Sequence, residues 1–119
     1  LIRLEELDVV RRVHMGVSPT GEAANPYGNS VGHWEGETFV VTTTDINWPW
    51  FDQAGIPQSE ELRLVERFVV SEDDRYLNYS AVATDSTIFA GPAVLGKRWM
   101  WVPGEEIQPY GCIWERDDL

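Results

Sequence analysis

Strand alternation through Leu62, Leu64, Glu66, Phe68 and Val70 places a carboxylate in the middle of an otherwise apolar face. Two kinds of chemistry suit a carboxylate there. If the face bounds a cavity, desolvation favours the neutral acid and fits the group for general acid or base catalysis, or for holding a ligand hydroxyl. If a cation lies opposite, the same residue is half of a structural ion pair. Val10, Arg12 and His14 share a face of an early β-like run, which makes Arg12 the candidate counter-charge and His14 a polar neighbour of the same pocket. Glu66 is therefore the candidate catalytic residue, with no obvious nucleophile beside it.

A second cluster sits in "DINWPWFDQAGIPQSEEL", Asp45 to Leu62. Two prolines and a glycine deny this stretch a regular hydrogen-bond ladder, so it reads as a loop, yet Trp48, Trp50 and Phe51 make it greasier than loops usually are. Pro49 stiffens the backbone between the two tryptophans. Rings held this way suit the lid or wall of a cavity, with Asp52 as a polar anchor; they suit equally the capping of a core. Trp34, Tyr79 and Trp99, spread over other strands, complete the expected ligand contacts.

The elements that must position these residues have a period of two. Runs at residues 2–5 and 9–15 are followed by a polar loop from Met15 to Asn29, then by strands at 30–34 and 38–46 joined at Glu35-Gly36-Glu37. Further strands are expected at 62–70, 76–84, 93–102 and 107–115, with turns at Ser71–Arg75 and at "PGEE". No segment sustains a helical period. About eight strands in hairpin order predict an all-β fold, an antiparallel up-and-down barrel or strongly curved meander of lipocalin-like character, as a single domain over residues 1–119.

Composition narrows the partners. A formal net charge of -11, with nine basic against twenty acidic residues, argues against nucleic acid and anionic membrane, which need clustered Lys and Arg. Six tryptophans and 43% hydrophobic residues mark a folded chain. Cys112 is the sole cysteine, so no intrachain disulfide forms. Two histidines on different strands make a poor metal set, the acidic run Glu72–Asp74 lacks calcium-loop spacing, and cofactor and phosphate-loop fingerprints are absent, so neither metal nor cofactor is expected.

"SVGHWEGETFVVTTTDI", "WFDQAGIPQSEELRLVERF" and "YGCIWE" resemble a family of bacterial proteins, mostly uncharacterised and often secreted. Its members carry G-x-S-x-G-x-W-E-G-D-T-L-V-V-x-T, then W-L-D-x-x-G-x-P-H-S-E-x-L, then E-R-F and a late C-E. The likeness runs from about Arg11 to Glu115 and covers Ser30, Gly32, Trp34, Glu35, Gly36, Thr38, Asp52, Gly55, Pro57, Ser59, Glu60, Glu66, Arg67, Cys112 and Glu115. It departs at Glu37, where the family commonly has Asp, and at Gln58, where it commonly has His. The resemblance implies a secreted or periplasmic protein, though typical members of the family have a further N-terminal segment that this chain lacks, and it carries no established activity.

Two function classes follow. In the first, the interior of the barrel binds an apolar or amphipathic small molecule. In the second, a cofactor-independent isomerase, lyase or hydrolase uses Glu66 as its acid or base. The partner in either case is a small molecule, and the assemblies left open include a homodimer.

Overall fold

The computed structural model of the chain describes residues 1–5, 9–17, 26–52 and 54–111. Its regular structure there is strand throughout: β1 (Ile2–Leu4), β2 (Val9–Arg11), β3 (Val13–Met15), β4 (Asn29–Glu35), β5 (Thr38–Thr44), β6 (Arg63–Val70), β7 (Tyr76–Thr84) and β8 (Ala93–Met100). β1 and β2 form a two-stranded ribbon, while β3 to β8 form one six-stranded sheet in sequence order. The expected all-β class and the meander of β4 to β8 are both present, since every pair from β4–β5 to β7–β8 is antiparallel.

The β4–β5 hairpin has the expected tight turn. Glu35 pairs with Thr38, and Gly36, at φ 60°, takes the first central position. That is the place a type II′ turn reserves for glycine, because its twist matches that of the flanking strands.

Three expectations are corrected. The early strand, expected to be continuous from Val9 to Met15, changes partner at Arg12. β2 runs antiparallel to β1, whereas β3 runs parallel to β4, with Val13 opposite Ser30. Parallel neighbours need a crossover of about a dozen residues or more, and residues 16–28 separate these two. Second, no sheet among the described residues closes into a barrel. Closure requires the first and last strands to pair along their lengths, and the three-residue β3 offers no match for the eight-residue β8 at the opposite edge. Third, residues 107–111 of the expected last strand are not strand. Pro109 cannot donate to a ladder, and the Gly111 amide folds back onto the Pro109 carbonyl at 3.0 Å. The remainder of that expected strand, with Cys112 and Glu115, lies outside the described residues.

Register assigns the faces. One face carries Ser30, Gly32 and Trp34 of β4, Phe39, Val41 and Thr43 of β5, Leu64, Glu66 and Phe68 of β6, and Tyr79, Ala81 and Ala83 of β7. Its middle is fully buried: Val41, Ala81, Ala83, Ser30, Thr43 and Glu66 are each at most 2% exposed. The small side chains there leave depth for a long one to enter from above.

Candidate functional site

Arg11, the last residue of β2, fills that depth. Its Nη2 donates to Glu66 Oε1 at 2.6 Å and its Nη1 to Glu66 Oε2 at 3.0 Å, a two-pronged pairing of planar groups. Nη2 also donates to Ser30 Oγ at 3.4 Å and Thr43 Oγ1 at 3.3 Å, and those hydroxyls share a 2.7 Å hydrogen bond. The Tyr79 hydroxyl donates to Glu66 Oε2 at 2.7 Å. Burial acts most strongly on Arg11 and disfavours its charge, but the hydrogen bond and negative charge of Glu66 outweigh it and leave the guanidinium above its ordinary value. Burial, then the hydrogen bond and charge of Glu66, push the Tyr79 phenol well above its own. At neutral pH the tyrosine therefore remains a donor and the arginine a cation. Both oxygens of Glu66 are taken by three donors, which leaves little of the carboxylate for a substrate proton.

Towards the end of the sheet that carries the β4–β5 and β6–β7 turns, the same face becomes aromatic. Trp34, Phe39, Phe68, Tyr79 and Trp99 follow one another across five strands, with successive ring centres 5.1, 6.3, 5.1 and 5.3 Å apart. Tilted and edge-on contacts of this kind match the electropositive edge of one ring to the electronegative face of the next. Trp34, Phe39, Phe68, Val70 and Leu77 floor an open groove of about 930 Å³, walled by Leu1 and Ile2 of the ribbon side and rimmed by the two turns. A smaller basin of about 380 Å³ shares Val70, Asp74 and Leu77 with it and continues past Trp99 to Trp101.

The greasy loop is folded on itself elsewhere. Trp50 and Pro57 form an isolated antiparallel bridge, Phe51 N donates to Ile56 O at 2.7 Å, and Gln58 Nε2 donates to Trp48 O at 2.6 Å. Asp52 accepts from Ile56 N at 3.1 Å, so its carboxylate closes the turn. Phe51 packs edge-on against Phe89, centres 5.1 Å apart, while Trp48 and Trp50 are half exposed and line neither basin.

What ties this loop to the sheet is Asp85, 2% exposed at the end of β7. It accepts from Ser59 N at 2.6 Å, Ser59 Oγ at 2.7 Å, Thr87 N at 3.1 Å and Ile88 N at 3.2 Å. Burial is the largest influence on its carboxyl group and favours the neutral form, but the donors from Ser59, Thr87 and Ile88 together prevail and hold it below the usual carboxylate range. A depressed value in the folded state means that the ionised carboxylate favours folding. That contribution is complete above the unfolded aspartate value of about 3.9 and is lost as pH falls through the lower folded value. The stability difference between the native chain and Asp85→Asn, measured by urea unfolding, should therefore be constant near neutrality and shrink below about pH 4. A difference independent of pH down to the acid limit would show that the carboxylate charge is not what binds the loop.

Of the residues expected to form the site, the structure brings together Glu66 and Tyr79 in the buried network, and Trp34, Tyr79 and Trp99 along the aromatic face. Arg12 is exposed, and the counter-charge is its neighbour Arg11. Arg12 and His14 instead border a small recess of about 190 Å³ beside Tyr27 and Gly28. Sequence reasoning missed Arg11, although it alternates with Val9 and Val13 as Glu66 alternates with Leu64 and Phe68. It also missed Asp85, for which "TDST" carries the signal of an aspartate that bonds backbone amides just ahead of it.

No group of three or more His, Cys, Asp or Glu able to hold a metal occurs among the described residues, and no helix there is long and apolar enough to cross a membrane. Comparison of the chain with protein-family models, with curated proteins and with solved structures finds no match.

Proposed function

We propose that this chain binds an apolar or amphipathic small molecule in the open groove on the aromatic face of its sheet. The observation that carries the reading is the groove itself: an opening of about 930 Å³ floored by Trp34, Phe39 and Phe68. That volume falls in the range of small-molecule sites, which are concave, mostly apolar and rich in aromatic side chains. Here the groove takes the part that a closed barrel interior plays in the sequence-based expectation. The enzymatic alternative draws less support, because Glu66 is not among the groove residues and its oxygens are occupied by Arg11 and Tyr79.

Trp34 offers a clean test because it is 62% exposed, so its removal takes little from the core. Titration with the neutral dye Nile red, followed by dye emission, should saturate with the native chain and weaken about tenfold in Trp34→Ala, the order expected for one lost aromatic contact surface. Trp50→Ala should bind as the native chain does. Equal affinity in all three proteins, or loss only in Trp50→Ala, would move the site away from this groove.

A further inference from the structure

The groove has a polarity of its own, and it is negative. Its apolar floor ends at the Gly36–Glu37 turn and the Ser71–Asp74 turn, which bring the carboxylates of Glu37, Glu72 and Asp74 to the rim. Among the described residues no Lys or Arg lines either this groove or the basin that continues it. Among the described residues none of these three carboxylates is held in an ion pair, whereas Asp73 between two of them is tied into its turn by Ser71 Oγ at 2.6 Å and Arg75 N at 3.2 Å. Asp74 borders both basins.

The aromatic floor has the same preference as the rim. Ring faces are electronegative and attract cations within about 6 Å of the centroid. The protein already uses this at the far end of the row, where Lys97 Nζ lies 5.3 Å from the centre of Trp99. Trp34, more than half exposed beside the Glu37 turn, offers a ring of the same kind, and among the described residues no Lys or Arg lies over it.

Resting on the proposed binding role, we infer that the ligand class is an amphipathic cation: an apolar body lying along Phe39, Phe68, Val70 and Leu77, with an amine or quaternary ammonium between Trp34 and the carboxylates of Glu37, Glu72 and Asp74. An anionic amphiphile such as a fatty acid meets three like charges at the rim of the groove. Charge complementarity therefore selects against it, and does so independently of the apolar contacts.

The test compares three probes with one dodecyl chain, each below its micelle concentration: dodecyltrimethylammonium, neutral dodecanol and dodecyl sulfate, followed by tryptophan emission at physiological salt. The cation should bind about tenfold or more tightly than the neutral probe, and the anion more weakly than both. Because the whole chain is acidic, a charge-matched control is needed. Glu37→Gln/Glu72→Gln/Asp74→Asn should erase the preference for the cation and leave dodecanol affinity unchanged, whereas Glu60→Gln/Glu61→Gln/Glu105→Gln, with the same charge removed elsewhere, should keep it. Equal binding of cation and neutral probe by the native chain, or loss of the preference in both triple variants, overturns the cationic class while sparing the groove. Failure of all three probes to bind overturns the groove as well. Burial of Trp34 by concentration-dependent association would assign the face to a second copy and overturn both.

Discussion

Arg11→Ala should destabilise the fold by about 3–5 kcal/mol, the cost of leaving one member of a buried ion pair without the other. The arginine side chain is 14% exposed and that of Glu66 3%, so water cannot replace the lost partner. Alanine would also leave the Ser30 and Thr43 hydroxyls with one donor fewer. Urea unfolding should show a lower midpoint with little change in slope. The double variant Arg11→Met/Glu66→Leu should recover much of the loss, because an apolar pair of similar volume removes both charges together. A double-mutant cycle would then report strong coupling between the two positions. A change within about 0.5 kcal/mol for Arg11→Ala, as for an ordinary surface substitution, would show that the pair is not sealed. The consequence reaches the groove: Arg11 ties the β1–β2 ribbon to the sheet, and Ile2, its partner in the ribbon, helps wall the groove. Dye affinity should therefore fall in Arg11→Ala at a urea concentration where the chain is still folded.

How far the sequence is legible differs between the strands and their assembly. Alternation locates β4 to β8 because each has one face that must be apolar, and it marks Glu66 as the exception on its face. It also holds the clue to Arg11, but only if the phase of the early strand is read through Val9 and Val13; the partner change at Arg12 leaves both phases plausible from sequence. Pairing is a non-local property. Nothing in "VVRRVHM" says that its second half runs parallel to a strand beyond residue 28, and sheet closure depends on edges that no local pattern describes. The tryptophans show the same limit. Trp34 and Trp48 are equally apolar in sequence, yet register puts one on the aromatic face while local turns fold the other's loop onto itself. Likewise Ser59, within "PQSE", has a reason in the structure, its bonds to Asp85, that lies across the fold.

Gly32→Ala should be destabilising by about 1–3 kcal/mol, although alanine in a strand is ordinarily no worse than glycine. A Cβ built at residue 32 would lie 2.6 Å from Phe39 Cζ, 2.8 Å from Phe39 Cε2 and 2.7 Å from Val13 Cγ1. Something must move, and neither neighbour is free to. The Phe39 ring is held in the row between Trp34 and Phe68, its centre 5.1 and 6.3 Å from theirs, and Val13 belongs to the short β3 that pairs with this strand. The ring lies over the bare backbone of the glycine, a pairing in which an aromatic side chain covers what glycine leaves open. Pushing it aside tilts the floor of the groove, so Nile red affinity should fall together with stability. Gly91→Ala is the matched control, since a Cβ there meets nothing within 4 Å; its stability should stay level or rise slightly as the unfolded chain loses freedom. Adding Phe39→Leu to Gly32→Ala should restore stability by vacating the space, but not affinity, because the ring is then gone from the floor. If Gly32→Ala proves as stable as Gly91→Ala, Phe39 does not rest on Gly32 and the aromatic row is not fixed from beneath.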